Sequence, residues 1–293
     1  MEEMGSDKES VIVSGRFDPI NLPTVRFLEQ AARHGRLHVY LWPDEAMSHE
    51  TGHGRVLAQE ERAYFLQALR YVWRVTLGQA PFEADSIPHA VIGRDHSASQ
   101  VPGGSGRARA WIVREDEDSG AKHAFCAANG LDYVVILNSE LENIPDQVEM
   151  VEDRDRERKK VVVTGCFDWL HSGHIRFFEE TSALGDLYVV LGHDKNVRLL
   201  KGDGHPQFGE VERRYMVQSV RYVKQALVST GNGWMDAEPE IERLRPHMYV
   251  VNEDGDRPEK QAFCEKHGLE YVVLRRLPKK GLPRRSSTAL RGF

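Results

Sequence analysis

Cysteine is scarce: three residues in 293, at positions 126, 166 and 264, with no CxxC pair among them. That number and spacing exclude a disulfide framework and a cysteine-based zinc site, and suit a reducing compartment. Long apolar runs are missing, and none approaches the roughly 20 residues that cross a bilayer. The first ten residues are polar and acidic, unlike a secretory leader. Basic charge is not in excess. Lys and Arg number 39 against 45 Asp and Glu, for a net charge of −6. The pI of about 6.1 argues against a general binder of nucleic acid or membrane surfaces. A soluble, cytoplasmic protein is expected. What is present is 40% hydrophobic residues and a length that accommodates two domains.

The chain repeats itself once. Val11-Ile-Val-Ser-Gly-Arg-Phe-Asp18 returns as Val161-Val-Val-Thr-Gly-Cys-Phe-Asp168. The stretch from Glu61 to Val72 returns from Glu212 to Val223, and Lys122-His-Ala-Phe-Cys126 returns as Lys260-Gln-Ala-Phe-Cys264. Order is kept, so the repeat reads as two domains of one fold. In the second copy, strands are expected at 161–163, 187–191, 226–229, 248–251 and 271–274. Helices are expected at 175–184, 210–222, 237–244 and 258–267. Alternation of this kind predicts an α/β fold with an open parallel sheet. Residues 143–158 are charged and read as an exposed linker between domains at 10–142 and 159–293.

The most informative stretch is Val161-Val-Val-Thr-Gly-Cys-Phe-Asp-Trp-Leu-His-Ser-Gly-His174. Three consecutive valines predict a strand buried on both faces. Gly165 allows a tight turn. Ile175, Phe178 and Leu184 are then spaced for the buried stripe of a helix. His171 and His174 therefore belong at a helix N-terminus, whose unpaired N–H groups and partial positive charge suit phosphate. Gly173 leaves room for close approach of a ligand.

Gly165-x-Phe167-Asp168-x-x-His171-Ser172-Gly173-His174 resembles the HxGH motif of the nucleotidyltransferase superfamily, in its cytidylyltransferase-like branch. The resemblance implies two tandem Rossmann-like nucleotidyltransferase domains. It implies catalytic roles for His171, His174 and Lys201, the lysine contacting substrate phosphate. It places Gly165, Cys166, Phe167, Asp168, Gly173, Arg213, Ser287, Thr288 and Arg291 at the nucleotide. The string Arg285-Ser-Ser-Thr-Ala-Leu-Arg291 is similar, through Ser287-Thr288-x-x-Arg291, to the family's tail, in which a Ser/Thr cap opens a helix and an arginine reaches the triphosphate. Mg²⁺ is implied with the nucleotide, and no carboxylate cluster identifies its ligands. A homodimer, or an internal pseudo-dimer of the two copies, is implied by the family's habit of pairing.

The copies are unequal. Asn21-Leu-Pro-Thr24 stands where the second has His171-Ser-Gly-His174, and Glu50 stands opposite Lys201. The first copy is therefore expected to be catalytically inactive. Arg213 has a surviving copy, Arg62, which favours a structural ion pair for both. Asn252-Glu-Asp-Gly255 and Lys224-Gln225 depart from the family's usual residues, and leave the substrate open. Three readings stand: cytidylyl transfer from CTP to a small phosphorylated alcohol or sugar phosphate, adenylyl transfer from ATP to a sugar phosphate or cofactor precursor, and a non-catalytic nucleotide-binding scaffold.

Overall fold

The computed structural model describes residues 9–47, 57–93, 107–146 and 158–286. The chain divides into two compact units, Met1–Asn143 and Ile144–Phe293. In the first, strands β1 (Ser10–Gly15), β2 (Arg36–Leu41), β3 (Val72–Leu77), β4 (Ala108–Arg114) and β5 (Asp132–Ile136) are interleaved with helices α1 (Leu22–Ala32), α2 (Gln59–Ala68) and α3 (Gly120–Asn129). In the second, β6 (Lys160–Gly165), β7 (Asp186–Leu191), β8 (Val223–Val228), β9 (Met248–Asn252) and β10 (Glu270–Leu274) are interleaved with α4 (Ser172–Ser182), α5 (Asp194–Lys201), α6 (Glu210–Gln218), α7 (Glu238–Leu244) and α8 (Pro258–His267). Most of the expected linker lies outside the described residues.

Each unit holds a five-stranded sheet, in the orders β3-β2-β1-β4-β5 and β8-β7-β6-β9-β10. Every described pairing is parallel. The fold is thus α/β and Rossmann-like in both units. The chain builds outward from the central strand to one edge, then crosses to the other side. The order reverses between β1 and β4, and again between β6 and β9. In such sheets the ligand crevice opens beyond the strand C-termini at that reversal. The turn leaving β6 lies there.

The valine runs account for the central strands. Val11, Ile12, Val13, Val161, Val162 and Val163 have no exposed surface. Each such side chain withdrawn from water stabilises the fold by about 1.5–3 kcal/mol. Tyr188, Tyr249, Ile241 and Phe263 close the core on one side of the second sheet. Trp111, Tyr40, Ile92 and Cys126 do so in the first.

Three local expectations differ from the structure. Helix α4 ends at Ser182, and Leu184 is 37% exposed, whereas Thr181 fills the inner face. The chain must leave the helix through Gly185, where any Cβ would collide with the Lys159 carbonyl. Helix α6 stops at Gln218, and β8 begins at Val223 rather than at 226. Lys224 and Gln225 disguise that strand, which lies at the sheet edge, where Lys224 Nζ reaches the Asp186 carboxylate at 2.5 Å. Helix α5 was not expected at all. Its Leu199 and Leu200 are 73% and 55% exposed, and Val197 is its one buried apolar residue, so no apolar stripe marks its inward face. Among the described residues no helix is long and apolar enough to cross a membrane.

Candidate active site

Strand β6 ends at Gly165, and the chain turns through Cys166–Leu170 into α4. Phe167 has φ 50°, in the left-handed region that residues other than glycine rarely occupy. This conformation folds its ring back beneath the turn, 2.9 Å from where a Cβ on Gly165 would stand. The ring then meets Phe178 at 5.1 Å and the edge of His174 at 5.2 Å between centroids. Gly165 is a glycine because that ring occupies the space. Phe17, with φ 49°, repeats the arrangement beside Gly15. The scaffold of the turn therefore does not depend on the histidines.

His171 is the N-cap of α4, and its Nδ1 accepts the Gly173 N–H at 3.1 Å. A neutral imidazole that accepts at Nδ1 carries its proton on Nε2. That Nε2–H is buried and has no hydrogen-bond partner among the described residues, and the same holds for Nδ1 of His174. The two rings stack, with centroids 3.9 Å apart and planes 22° from parallel. Burial lowers the pKa of His171 to about 4, helped by the charges of Arg276 and Arg285. Burial also holds His174 well below the usual imidazole range, reinforced by His171, Arg276 and Lys201 and opposed by a backbone hydrogen bond at Trp169. Both rings are neutral at pH 7. An unsatisfied buried donor costs on the order of 1–3 kcal/mol, and an anion placed at this helix N-terminus would satisfy it.

Gly173 has a role that sequence reasoning missed. A Cβ there would stand 2.9 Å from Cε1 and 3.0 Å from Nδ1 of His171. The absent side chain makes room first for the His171 ring, and so permits the stack.

Beneath the turn lies Arg213, 1% exposed. Its Nε donates to the Phe208 carbonyl at 2.9 Å, and its Nη1 to the Cys166 carbonyl at 2.7 Å. Its Nη2 donates to the Gly192 carbonyl and to Asp194 Oδ1, each at 2.8 Å. Every guanidinium nitrogen is engaged, so Arg213 staples three loops and is not presented to a ligand. Arg62 staples the corresponding loops in the first unit through its two Nη atoms, bonding the carbonyls of Arg16 and Trp42 and the Asp44 carboxylate, while its Nε has no partner among the described residues. Asp168 is likewise committed, its Oδ1 accepting from the N–H groups of Gln207 and Phe208 at 2.8 and 3.0 Å. Burial raises the Cys166 thiol above its usual pKa, against the opposing pull of Lys201 and Arg213, so it is no ready nucleophile. His193 caps α5.

Three cations act on the imidazole pair: Lys201, Arg276 and Arg285. Lys201 ends α5, is exposed, and makes no hydrogen bond or ion pair with any described residue. Arg276 pairs with Asp254 at 2.5 Å and donates to the Arg285 carbonyl at 3.0 Å. The Arg285 carbonyl in turn stands 3.7 Å from the Cβ position of Gly173. Lys279 ties the same segment to Glu179 of α4 at 2.7 Å. The segment after β10 thus runs along the mouth of α4. Ser287, Thr288 and Arg291 lie outside the described residues, as does Glu50. Arg276 was not singled out from sequence. The acidic Glu253-Asp254 pair and the basic Arg275-Arg276 pair, each just past a neighbouring strand, carried that signal.

The described side chains at the turn do not form a cradle for Mg²⁺. Asp168 and Asp194 are occupied by backbone N–H groups and by Arg213. Among the described residues, only Glu238, Glu242 and His267 gather closely enough to hold an ion, and they belong to α7 and α8.

The cytidylyltransferase-like family model matches residues 162–292. An FAD synthase of Aciduliprofundum boonei is 36% identical over 119 residues, which are 40% of this chain and 76% of that protein. The bifunctional protein HldE of Helicobacter pylori is 35% identical over 122 residues, 41% of this chain but only 26% of that protein. A solved structure, described as a lipopolysaccharide core biosynthesis protein from Thermoplasma volcanium, has 25% identity over 42% of this chain and 99% of its own, with a TM-score of 0.36. On the residues of the second unit, this chain belongs to the cytidylyltransferase-like family of the nucleotidyltransferase superfamily.

Proposed function

We propose that the second unit transfers a nucleotidyl group from a nucleoside triphosphate to a small phosphorylated alcohol or sugar phosphate. The observation that carries this is the stacked pair of neutral imidazoles at the mouth of α4, with the His171 Nε2–H buried and unpaired among the described residues. An oxygen of the acceptor phosphate attacks the α-phosphorus. The bond to the bridging oxygen of the β-phosphate breaks, and pyrophosphate leaves with that electron pair. In such transfers the protein mainly positions groups and neutralises charge. His171 and His174 hydrogen-bond the phosphate oxygens as charge builds on them. Lys201 and Arg276 supply positive charge from either side. The N-terminus of α4 and Arg291 are proposed to hold the β- and γ-phosphates, with Ser287 and Thr288 at the nucleotide. Mg²⁺ is proposed as the counter-ion that the triphosphate brings, and the chemistry assigned to these side chains does not run through it.

CTP is the favoured donor, on the family match. ATP is a second reading, supported by a relative named for FAD, whose adenine half is itself a nucleotidyl group. The test is pyrophosphate release by the full chain, with CTP and ATP each offered phosphorylated polyols, sugar phosphates and phosphorylated amino-alcohols. Release with one nucleotide and one acceptor class supports transfer and names both substrates. Tight nucleotide binding with no release across the panel would point instead to the scaffold reading.

A further inference from the structure

The first unit has no histidine pair, but it has a cavity in the corresponding place. A space of about 410 Å³ opens at the C-terminal ends of β1, β2 and β4. Sheet register fixes the correspondence. Val11 pairs with Ala110 as Val161 pairs with Met248, which makes Arg114 the counterpart of Asn252 and Asp116 that of Asp254. By the repeat, Arg16 stands for Cys166, Trp42 for Gly192, and Asn21 and Thr24 for the two histidines. Asn21 is an ordinary N-cap, its Oδ1 accepting the Thr24 N–H at 3.2 Å. Neither replacement can share developing charge as an imidazole does.

Two other replacements add charge of the opposite sign to the one expected of mere loss. Arg16 and Arg114 are both new cations on the lining. In the second unit Arg276 reaches Asp254 at 2.5 Å, and in the first Arg114 reaches Asp116 at 3.1 Å. The same aspartate thus holds an arginine in both units. One arginine comes from the segment after the last strand, the other from the end of β4. The Arg16 guanidinium lies over Trp42 at 5.9 Å, and Trp42 is backed by Phe82 at 4.8 Å. Two acids, Asp18 and Glu117, share the lining. Asp18 Oδ2 accepts the Leu57 N–H at 3.3 Å, and burial raises the pKa of Glu117, which disfavours its charged form.

We propose that the first unit is a non-catalytic receptor for a small phosphate-bearing metabolite, held between Arg16 and Arg114 beneath Trp42. Paired guanidiniums match phosphate oxygens in their fork geometry. None of this depends on transfer chemistry in the second unit.

The test is the indole ¹⁵N–¹H spectrum of the full chain during titration with inorganic pyrophosphate, with succinate as the carboxylate control. Five tryptophans give five signals, and Trp42→Phe identifies one of them. The Trp42 signal should move saturably with pyrophosphate and not with succinate. In Arg16→Gln/Arg114→Gln the apparent affinity read at Trp42 should fall about tenfold or more, as loss of charge-assisted hydrogen bonds implies. Arg114→Lys keeps the charge without the fork and should show a smaller loss. Signals of Trp169 and Trp234 report the second unit separately. A Trp42 signal that stays still in the unaltered chain, that follows succinate instead, or that moves with unchanged affinity in the double variant would overturn the proposal.

Discussion

The rings of His171 and His174 lie face to face, 3.9 Å apart and 22° from parallel. Two protonated imidazoles would repel one another at that distance, and burial already disfavours either charge. The stack is therefore a neutral device, and its proton state links it to stability.

A ring whose pKa is lower in the folded chain takes up a proton on unfolding. Its contribution to stability is complete above the unfolded value of 6.5 and is lost as pH falls towards about 4. For His171 alone the linkage amounts to about 3 kcal/mol, at 1.36 kcal/mol per unit. Urea midpoints measured from pH 7.5 down to 4 should fall more steeply in the unaltered chain than in His171→Ala/His174→Ala. Parallel profiles would show that the rings are not held neutral.

His174→Ala and His171→Ala should each lower turnover by on the order of 10²–10³, the usual loss for one pre-organised donor. Circular dichroism should be unchanged, because Phe17 holds the same turn in the first unit without any histidine. The double variant should lose less than the product of the two single losses, since the rings act as one group. Pyrophosphate release near the unaltered rate in either single variant would refute the assignment.

Gly173→Ala separates packing from chemistry. Position 173 is helical, so alanine favours the helix by up to about 1 kcal/mol. Its Cβ, however, meets the His171 ring at 2.9 Å. Thermal stability should hold or rise slightly while turnover falls, with both histidines still in place. Unchanged turnover would mean that the stack can shift without consequence.

Arg213→Ala and Arg62→Ala should destabilise their units similarly. Each removes a buried guanidinium that satisfies backbone carbonyls and an aspartate. Losses of that kind run to about 3–5 kcal/mol. Amide hydrogen exchange would localise the change to β6–β8 in one case and β1–β3 in the other. A selective loss of nucleotide affinity by Arg213→Ala, without loss of protection, would instead place that arginine at the ligand.

Most of the fold was legible because parallel strands covered on both faces must be apolar without interruption, as Val161–Val163 are. The HSGH turn was legible because its residue types sit between a strand and a helix. Helix α5 was not, since Leu199 and Leu200 face solvent. Nor was the start of β8, where an edge position lets Lys224 and Gln225 sit in a strand. The part Gly173 plays in the stack was not legible because the first claimant on its space is a side chain two residues away. Arg276 escaped because its partner Asp254 lies 22 residues before it, and only the adjacency of β9 and β10 brings the two together.

The central claim is that a neutral imidazole pair at the mouth of α4 receives the phosphates of a nucleotide. Its most direct test is the ¹⁵N spectrum of the histidine rings as CTP, and separately ATP, is added to the full chain. The account predicts that free His171 carries its proton on Nε2 and that this nitrogen's signal moves to saturation with one of the two nucleotides. Ring signals unmoved at nucleotide concentrations that calorimetry shows to be saturating would contradict it.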